Sequence, residues 1–288
     1  MPISTLDDRR KTHWAWRPVR QTRMRWGRWL ADRPTYPRLP EFSNLDIFLS
    51  GNSEQGDGLR AAQLSDVHHG LFVSLREVEH AVELINYKSP DLVLLTGDFV
   101  TRSWVHIEPV AKALGKLQAN LGVFAVLGNH DHRTDAGSIE HQLTGNGIQV
   151  LRNRHVVLQR ERGGIGLAGV DDVWYSCDLA KALKGMPQDI PRILLCHNPS
   201  IFLEAVREGI DFVASGHTHG GQVRVPGLNA MYNRPFRSGL QRLSKTQIYV
   251  SRGIGRVVLP VRLGCPPEIP IFHLRSSSGD INYTHASG

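Results

Sequence analysis

Two histidines one residue apart, His217 and His219, stand in a glycine-rich stretch that could hold a metal ion. In extended backbone, residues i and i+2 point to the same face, so both imidazoles are expected to reach one place. Imidazole is the commonest metal ligand among side chains, and flanking glycines let the backbone approach a small charged group. The stretch follows an apolar run at 210–214 and consists of Ser215-Gly216-His217-Thr218-His219-Gly220-Gly221-Gln222.

The other metal-type side chains of the sequence repeat this arrangement, because each lies just after an apolar run. In α/β sheets the carboxyl ends of the strands are where ligands bind. Taken singly, an Asp after a strand is usually a turn former, and a lone His is usually a surface or core residue. The joint occurrence favours one site at one sheet edge, built from Asp66, His68, Asp98, Asn129, His130 and His197 together with the two histidines.

The chemistry of this ligand set indicates an open catalytic centre. Carboxylate, imidazole and amide donors without thiolate argue against a structural zinc knot and favour Mn²⁺, Fe²⁺, Zn²⁺ or Mg²⁺, with Mn²⁺ the first expectation. The positions are too many for one ion, so we expect two divalent metal ions. Asp98 is alone in its motif and is the candidate for the bridging carboxylate that offsets their repulsion. Two such ions can share a hydroxide and clamp the oxygens of a phosphoryl displacement.

In order and spacing, these segments resemble the five motifs of the calcineurin-like metallophosphoesterase superfamily, from Leu59 to Gln222. The resemblance implies an α/β fold of two mixed β-sheets packed as a sandwich and flanked by helices, with a dimetal site at the C-terminal ends of the strands. The motifs are Asp66-Val67-His68, Gly97-Asp98, Gly128-Asn129-His130-Asp131, His197 and Gly216-His217-Thr218-His219.

The resemblance also implies a role for each motif residue. One metal would be held by Asp66, His68 and His219. The other would be held by Asn129, His197 and His217, with Asp98 bridging the two. His130 would be the catalytic group at the leaving oxygen, and Asp131 would orient it. The implied activity is in-line attack on phosphorus by a metal-bridging hydroxide.

A narrower resemblance is to bacterial phosphodiesterases that include a UDP-2,3-diacylglucosamine pyrophosphohydrolase of lipid A synthesis. It implies a phosphodiester or pyrophosphate substrate that is amphiphilic or nucleotide-linked. The alternatives are a nuclease, a cyclic-nucleotide-type phosphodiesterase and an inactive binding module of the same fold. The segments that carry this resemblance are 167–172, 220–222, 251–255, 260–262 and 266–269.

The basic charge of the chain is concentrated in an arm that we assign to residues 1–41. Residues 9–38 hold ten Arg or Lys against Asp32 alone, a local net charge of +9 within a chain of net +7. Four of the six Trp residues lie in the same arm, and a helix is expected over 19–30. Trp with Arg suits an anionic membrane surface; nucleic acid and an inert tail are the alternatives. The metallophosphoesterase domain is then 42–275, and 276–288 is a loose tail.

The sequence predicts a cytoplasmic protein, with peripheral contact to the inner face of the membrane. No apolar run approaches 18 residues, and no apolar segment follows the Arg9-Arg10 pair. Three scattered cysteines fit a reducing compartment.

Several element predictions accompany this interpretation. Apolar spacing predicts a helix from Leu71 through Ile85, and Asn198 before Pro199 predicts a helix start. Residues 222–225 are expected to form a strand.

Polar residues near the motifs are assigned more ordinary positions. Cys196 should face the core, while His69 and His132 should point away from the metals. Asp171 and Asp172 are expected in an acidic turn, and the surface is expected to hold Arg133, Arg252 and Arg262.

Overall fold

The computed structural model describes residues 39–50, 57–160, 163–224 and 236–276. In these residues, twelve strands form two mixed six-stranded sheets. The first sheet has the strand order β1-β12-β2-β3-β4-β5. Its strands are β1 Glu41–Leu49, β12 Glu268–Ser276, β2 Arg60–Leu64, β3 Leu92–Leu95, β4 Val123–Ala125 and β5 Gln149–Val150.

The second sheet has the order β10-β11-β9-β8-β7-β6. Four neighbouring strands of each sheet run parallel: β2 to β5 in the first, and β7, β8, β9 and β11 in the second. Parallel strands end at one edge, so the loops after them meet there. The second sheet comprises β6 Arg154–Leu158, β7 Ile165–Gly169, β8 Arg192–Leu195, β9 Phe212–Ser215, β10 Gly239–Leu243 and β11 Thr246–Val250.

Six α-helices lie among the described residues and cover the outer faces of the sheets. A central apolar layer between the sheets includes Phe124, Phe212 and Phe272, and two further layers lie under the helices. The fold is therefore the predicted α/β sandwich with flanking helices. The helices are α1 Leu75–Lys88, α2 Ile107–Leu114, α3 Asn129–Thr134, α4 Ala136–Gly145, α5 Leu179–Leu183 and α6 Phe202–Arg207.

Helix α1 begins later than the apolar spacing predicts. Ser74 is its N-cap: the Ser74 hydroxyl accepts from the Glu77 backbone N–H, and the Glu77 carboxylate accepts from the Ser74 N–H. This capping box starts the helix at Leu75 and leaves Leu71 outside it, 48% exposed. Asn198 caps a 3₁₀ turn, Pro199–Ile201, that leads into α6, as predicted.

Two other expectations concern the segment after His219 and the membrane. Residues 222–224 form no strand; Val223 makes only an isolated bridge to Leu263, because Gln222 adopts φ 50° and turns the chain. Among the helices of the described ranges, none is both long and apolar enough to cross a bilayer. The basic arm up to residue 38 and the tail from 277, including the helix predicted over 19–30, lie outside the described residues.

Candidate metal centre

The loops after five parallel strands meet at the edge where the two sheets join. Asp66 follows β2, Asp98 follows β3, and Asn129 follows β4, while His197 and His217 follow β8 and β9. Gln63 ties the sheets together behind them: its buried amide donates to Thr96 Oγ1 (2.8 Å) in one sheet and to the Ser215 carbonyl (2.9 Å) in the other. The topology thus brings together all the side chains that the sequence predicts as ligands.

Asp66, His68 and His219 form one compact, buried group. The Nε2 atoms of the two histidines lie 3.0 Å apart, and His219 Nε2 is 3.3 Å from Asp66 Oδ1. The three side chains could each direct one ligand atom to the same point. Asp66 is held by the Ser65 hydroxyl (2.6 Å) and by the backbone N–H of His217.

Asn129, His197 and His217 form the second group. His217 Nδ1 lies 3.0 Å from Asn129 Oδ1 and 3.3 Å from His197 Nε2. Asn129 is the first residue of α3, so its side chain is fixed where the strand passes into the helix. His197 is fully buried, and His217 is only partly covered.

Asp98 lies between the two groups. Its Oδ2 atom is 3.3 Å from His68 Nε2 and 3.2 Å from His197 Nε2, one histidine from each group. Its Oδ1 atom accepts from the backbone N–H of His130 (2.8 Å). A single carboxylate therefore contacts both sets of nitrogen donors.

Backbone carbonyls orient two of the rings. His197 Nδ1 lies 2.7 Å from the Thr96 carbonyl, and His130 Nδ1 lies 2.9 Å from the Thr101 carbonyl. Since a carbonyl only accepts, each Nδ1 must carry the proton, which leaves Nε2 as the nitrogen available for a ligand or a substrate.

The histidines of the cluster differ in pKa. Burial lowers the pKa of His68 and of His219 well below the usual value and that of His217 to about 4, so these rings are neutral and able to bind a metal. Burial also acts on His197, but the Asp98 carboxylate outweighs it and raises the His197 pKa to about 10. A cation beside Asp98 would compete directly with that proton.

The backbone of the ligand turns differs from the extended geometry expected at His217 and His219. Both residues are left-handed, with φ 71° and 51°, and so are Asp66, His68 and Asp98. The two histidine side chains enter the site from a tight turn, and each serves a different group. Non-glycine residues with positive φ are uncommon, and they cluster at functional sites.

The predicted role of Asp131 needs correction. Its carboxylate accepts from the backbone N–H groups of Asp98 (2.7 Å), Phe99 (2.8 Å) and Gly128 (2.9 Å), and His130 is oriented by the Thr101 carbonyl instead. Asp131 therefore fixes the turn that carries Asp98. His130 stays beside the cluster, with its ring edge-on to His68 at 4.8 Å.

Arg262 is not the surface residue that the sequence predicts. It is 5% exposed, donates to the carbonyls of Gly255 (2.8 Å) and Arg252 (2.7 Å), and lies 3.4 Å from His219 Nδ1. It packs behind a candidate ligand from 43 residues away in sequence. No spacing pattern marks it, because the contact depends on the loop that β12 closes.

Three other neighbouring residues lie near their predicted positions. Cys196 is buried in the core, and His69 is bonded to the Val73 carbonyl, away from the cluster. His132 also points away, because it lies in a helix. Its Nε2 is 3.2 Å from Asp171 Oδ1, and its ring stacks on Tyr175 at 4.4 Å.

The residues fit a pair of divalent cations. Buried imidazole nitrogens lie 3.0–3.3 Å from one another and from two carboxylates, so a cation placed among them could contact several of these donor atoms at once. The nitrogen and oxygen donors are those that Mn²⁺, Fe²⁺ and Zn²⁺ accept. The backbone around the cluster is also tightly packed, since a Cβ at Gly216 would overlap Ser65 Oγ and Asp66 Oδ2.

Comparison with known proteins gives consistent matches. A family model for calcineurin-like phosphoesterases matches residues 59–221. The metallophosphoesterase YkuE of Bacillus subtilis is 32% identical, with 77% of this chain and 81% of YkuE covered. The phosphodiesterase YaeI of Escherichia coli is 31% identical, with coverages of 73% and 80%.

Two further matches are to a longer protein and to a solved structure of low sequence identity. A transmembrane protein with a metallophosphoesterase domain from Danio rerio is 33% identical over 83% of this chain, which spans 58% of that protein's length. Among solved structures, TT1561 of Thermus thermophilus has a TM-score of 0.48 at 13% identity, with 68% of this chain and 89% of that chain covered.

Proposed function

This chain belongs to the calcineurin-like phosphoesterase family, and on that premise we propose that it is a phosphodiesterase with a dinuclear metal centre. The observation that carries the proposal is the position of Asp98, whose Oδ2 lies 3.3 and 3.2 Å from a histidine of each group. When bound, two divalent ions would supply the activated water and neutralise charge on the phosphoryl oxygens.

The ligand residues divide between the two proposed ions in the same way as they divide into the two groups described above. Asp66, His68 and His219 would hold one ion, and Asn129, His197 and His217 the other, with Asp98 shared between them. Hydrogen bonds behind the ligands support this division. The Thr96 carbonyl fixes the ring of His197, the Ser65 hydroxyl holds Asp66, and the turn that bears Asp98 is held by Asp131. Such supporting contacts orient ligands and raise metal affinity.

His130 is the proposed general acid. Its backbone N–H is bonded to Asp98 and its Nδ1–H to the Thr101 carbonyl, so its Nε2 is the free nitrogen beside the cluster. With a proton on both nitrogens, the ring would give its Nε2 proton to the departing oxygen of the substrate and keep its Nδ1–H bond to the Thr101 carbonyl. The ring is half-buried, which leaves one edge open to a substrate.

A diester is the preferred substrate class, because the relative YaeI is described as a phosphodiesterase. Within that class we propose an amphiphilic or nucleotide-linked substrate, with UDP-2,3-diacylglucosamine as the first to assay. The segments 167–172 and 251–255 support this choice through their resemblance to the enzymes of that branch. Mn²⁺ is the metal we propose.

We also propose that residues 1–38 bring a cytoplasmic enzyme to the inner face of the membrane. The ten basic residues and four Trp of the arm support binding to anionic lipid. Deleting the arm should abolish sedimentation with vesicles of phosphatidylglycerol and leave bis-p-nitrophenyl phosphate turnover unchanged. Salt-sensitive binding of the full chain to DNA, without vesicle binding, would assign the arm to nucleic acid.

The test of the catalytic proposal is hydrolysis of bis-p-nitrophenyl phosphate with Mn²⁺, in the wild type and in Asp98→Asn and His217→Ala. Each variant should lose at least about 100-fold in kcat/KM, above the 10–100-fold typical of residues behind a metal ligand. Metal content measured on the same preparations should fall as well.

Matched controls separate the site from the surface. Asp46→Asn and His141→Ala change the same residue types at exposed positions on β1 and α4, so both should keep wild-type rates. Near wild-type turnover in Asp98→Asn would overturn the dimetal mechanism. Turnover of the diester without UMP release from UDP-2,3-diacylglucosamine would keep the phosphodiesterase and discard that lipid.

A further inference from the structure

An exposed aromatic ring stands at the rim of the metal centre. The Trp174 side chain is 57% exposed, and its ring meets the ring of His217 edge-on, with 4.9 Å between the centroids. The Arg133 guanidinium lies 5.8 Å from the centroid of the Trp174 ring. Tyr175, 46% exposed, stacks on His132 beside it. An indole and a cation therefore flank the open side of the second ligand group.

The segment that presents Trp174 is fixed from below by two buried carboxylates. Asp171 accepts from Arg152 (2.9 Å), from Ser176 Oγ (2.8 Å) and from His132. Asp172 Oδ1 accepts the backbone N–H of Trp174 itself (3.0 Å). A large ring held open to solvent on an anchored segment loses little conformational freedom when a ligand covers it, which favours binding.

Trp174 and Arg133, which form the rim of the metal centre, favour some classes of ligand over others. An indole face stacks on any planar ring, and a neighbouring guanidinium adds attraction for the ring and for a phosphate. An acyl chain on the Trp174 ring would instead bring the Arg133 cation against its methylenes. The rim therefore matches a heterocyclic base better than a lipid tail.

We propose that Trp174 and Arg133 form a subsite for the base of a nucleoside phosphate, with the phosphate at the metal centre. This inference rests on the proposed function, whose substrate class it narrows to phosphodiesters that contain a nucleoside. The Trp174 ring contacts the ring of His217 directly, so a base stacked on Trp174 would lie next to the phosphate position.

Equilibrium binding to the Mn²⁺-loaded full chain tests the subsite without turnover. AMP and ribose 5-phosphate share sugar and phosphate and differ only in the base. The wild type should bind AMP about tenfold more tightly than ribose 5-phosphate, in line with base–aromatic stacking. Trp174→Ala should weaken AMP binding about tenfold and change the affinity for ribose 5-phosphate by less than about twofold. Trp174→Phe should keep most of the AMP affinity.

Tyr87→Ala is the matched control, because Tyr87 is 82% exposed in the last turn of α1, away from the strand ends. It should leave the affinity for both ligands unchanged. Equal wild-type affinities for the two ligands, or an equal loss of both in Trp174→Ala, would overturn the subsite and leave Trp174 as a wall of the metal centre. Binding of AMP by a protein that hydrolyses no diester would instead refute the proposed activity and keep the subsite.

Discussion

At the scale of single residues, the site depends on backbone positions that have no space for a side chain. Gly216 precedes the two histidines, and a Cβ there would overlap Ser65 Oγ and Asp66 Oδ2. Gly128 precedes Asn129, and a Cβ there would overlap Asp98 Oδ1. These glycines let neighbouring ligand turns approach one another within hydrogen-bond distance, so their role is one of packing.

We therefore expect Gly216→Ala to displace Asp66 and lower both Mn²⁺ affinity and kcat/KM at least tenfold. The overlap should also cost about 1–3 kcal/mol of unfolding free energy. Gly145→Ala is the matched control, because nothing lies within 4 Å of a Cβ at that helical position. It should leave activity unchanged. Metal titration and urea unfolding of both variants give the comparison, and an unaffected Gly216→Ala enzyme would contradict the packing argument.

Arg262 gives a second prediction at this scale. Its planar guanidinium donates to four backbone carbonyls and faces His219 Nδ1, a set of contacts that one ammonium group cannot reproduce. Arg262→Lys should thus loosen His219 and weaken Mn²⁺ binding about 10- to 100-fold. Arg275→Lys, at an exposed pair with Asp46, should change nothing measurable. Equal metal affinity in the two variants would show that Arg262 does not support metal binding.

The contrast between the motif residues and Arg262 explains what the sequence could reveal. The motif side chains each follow a buried apolar run, so the topology of a parallel sheet was enough to bring them together. Arg262 follows no such run, and its partner His219 is set by the folding of a loop. The left-handed turns at His217 and His219 were not predicted either, because positive φ is uncommon outside glycine even for His and Asp, which adopt it more often than other residues.

At the scale of elements, the segment of Trp174 depends on the partly buried ion pair between Asp171 and Arg152. Burial alone would raise the pKa of Asp171, but hydrogen bonds from His132, Arg152 and Ser176 hold that pKa well below its usual range. A depressed carboxyl pKa contributes stability above the unfolded value of about 4, and that contribution is lost as the pH falls through the lower folded value.

Asp171→Asn should therefore lower the unfolding free energy at pH 7 by about 1.5–3 kcal/mol, the range for hydrogen bonds to a charged group. The difference from wild type should shrink as the pH falls below about 4, because the carboxyl of the unfolded chain then takes up a proton that the folded carboxyl does not. Urea unfolding from pH 7 to pH 3 measures this. A gap that stays constant with pH would show that Asp171 contributes through shape and not through charge.

Elements were predictable where one local signal dominated. Strand β3 is buried at every position, and its apolar run predicts it directly. The start of α1 was misplaced because the apolar spacing continues through Leu71, whereas the cap at Ser74 decides where the helix begins. Residues 222–224 look like a strand by composition, yet the buried Gln222 amide bonds to the carbonyls of Val257 and Leu259 and holds them in a loop.

At the scale of the whole molecule, the metal ions should contribute to stability, because their ligands come from both sheets. Adding Mn²⁺ at about 100 times its Kd should stabilise the chelator-treated protein by about 2.7 kcal/mol, or roughly 5–10 °C in Tm. Asp98→Asn should lose most of that shift, and Asp46→Asn should retain it. A thermal scan with no Mn²⁺ response in the wild type would argue that the cluster binds no ion.

The strand order of the first sheet has a consequence for how the chain is made. Strand β12 lies between β1 and β2, pairing in parallel with one and antiparallel with the other. Until residues 268–276 leave the ribosome, β1 has no partner in its sheet and β2 has an open edge. Contacts of such long sequence separation make folding slow, and exposed strand edges are prone to aggregate. Emergence of β12 is therefore the step at which a nascent chain becomes able to complete this fold, and chaperone demand should be highest just before it.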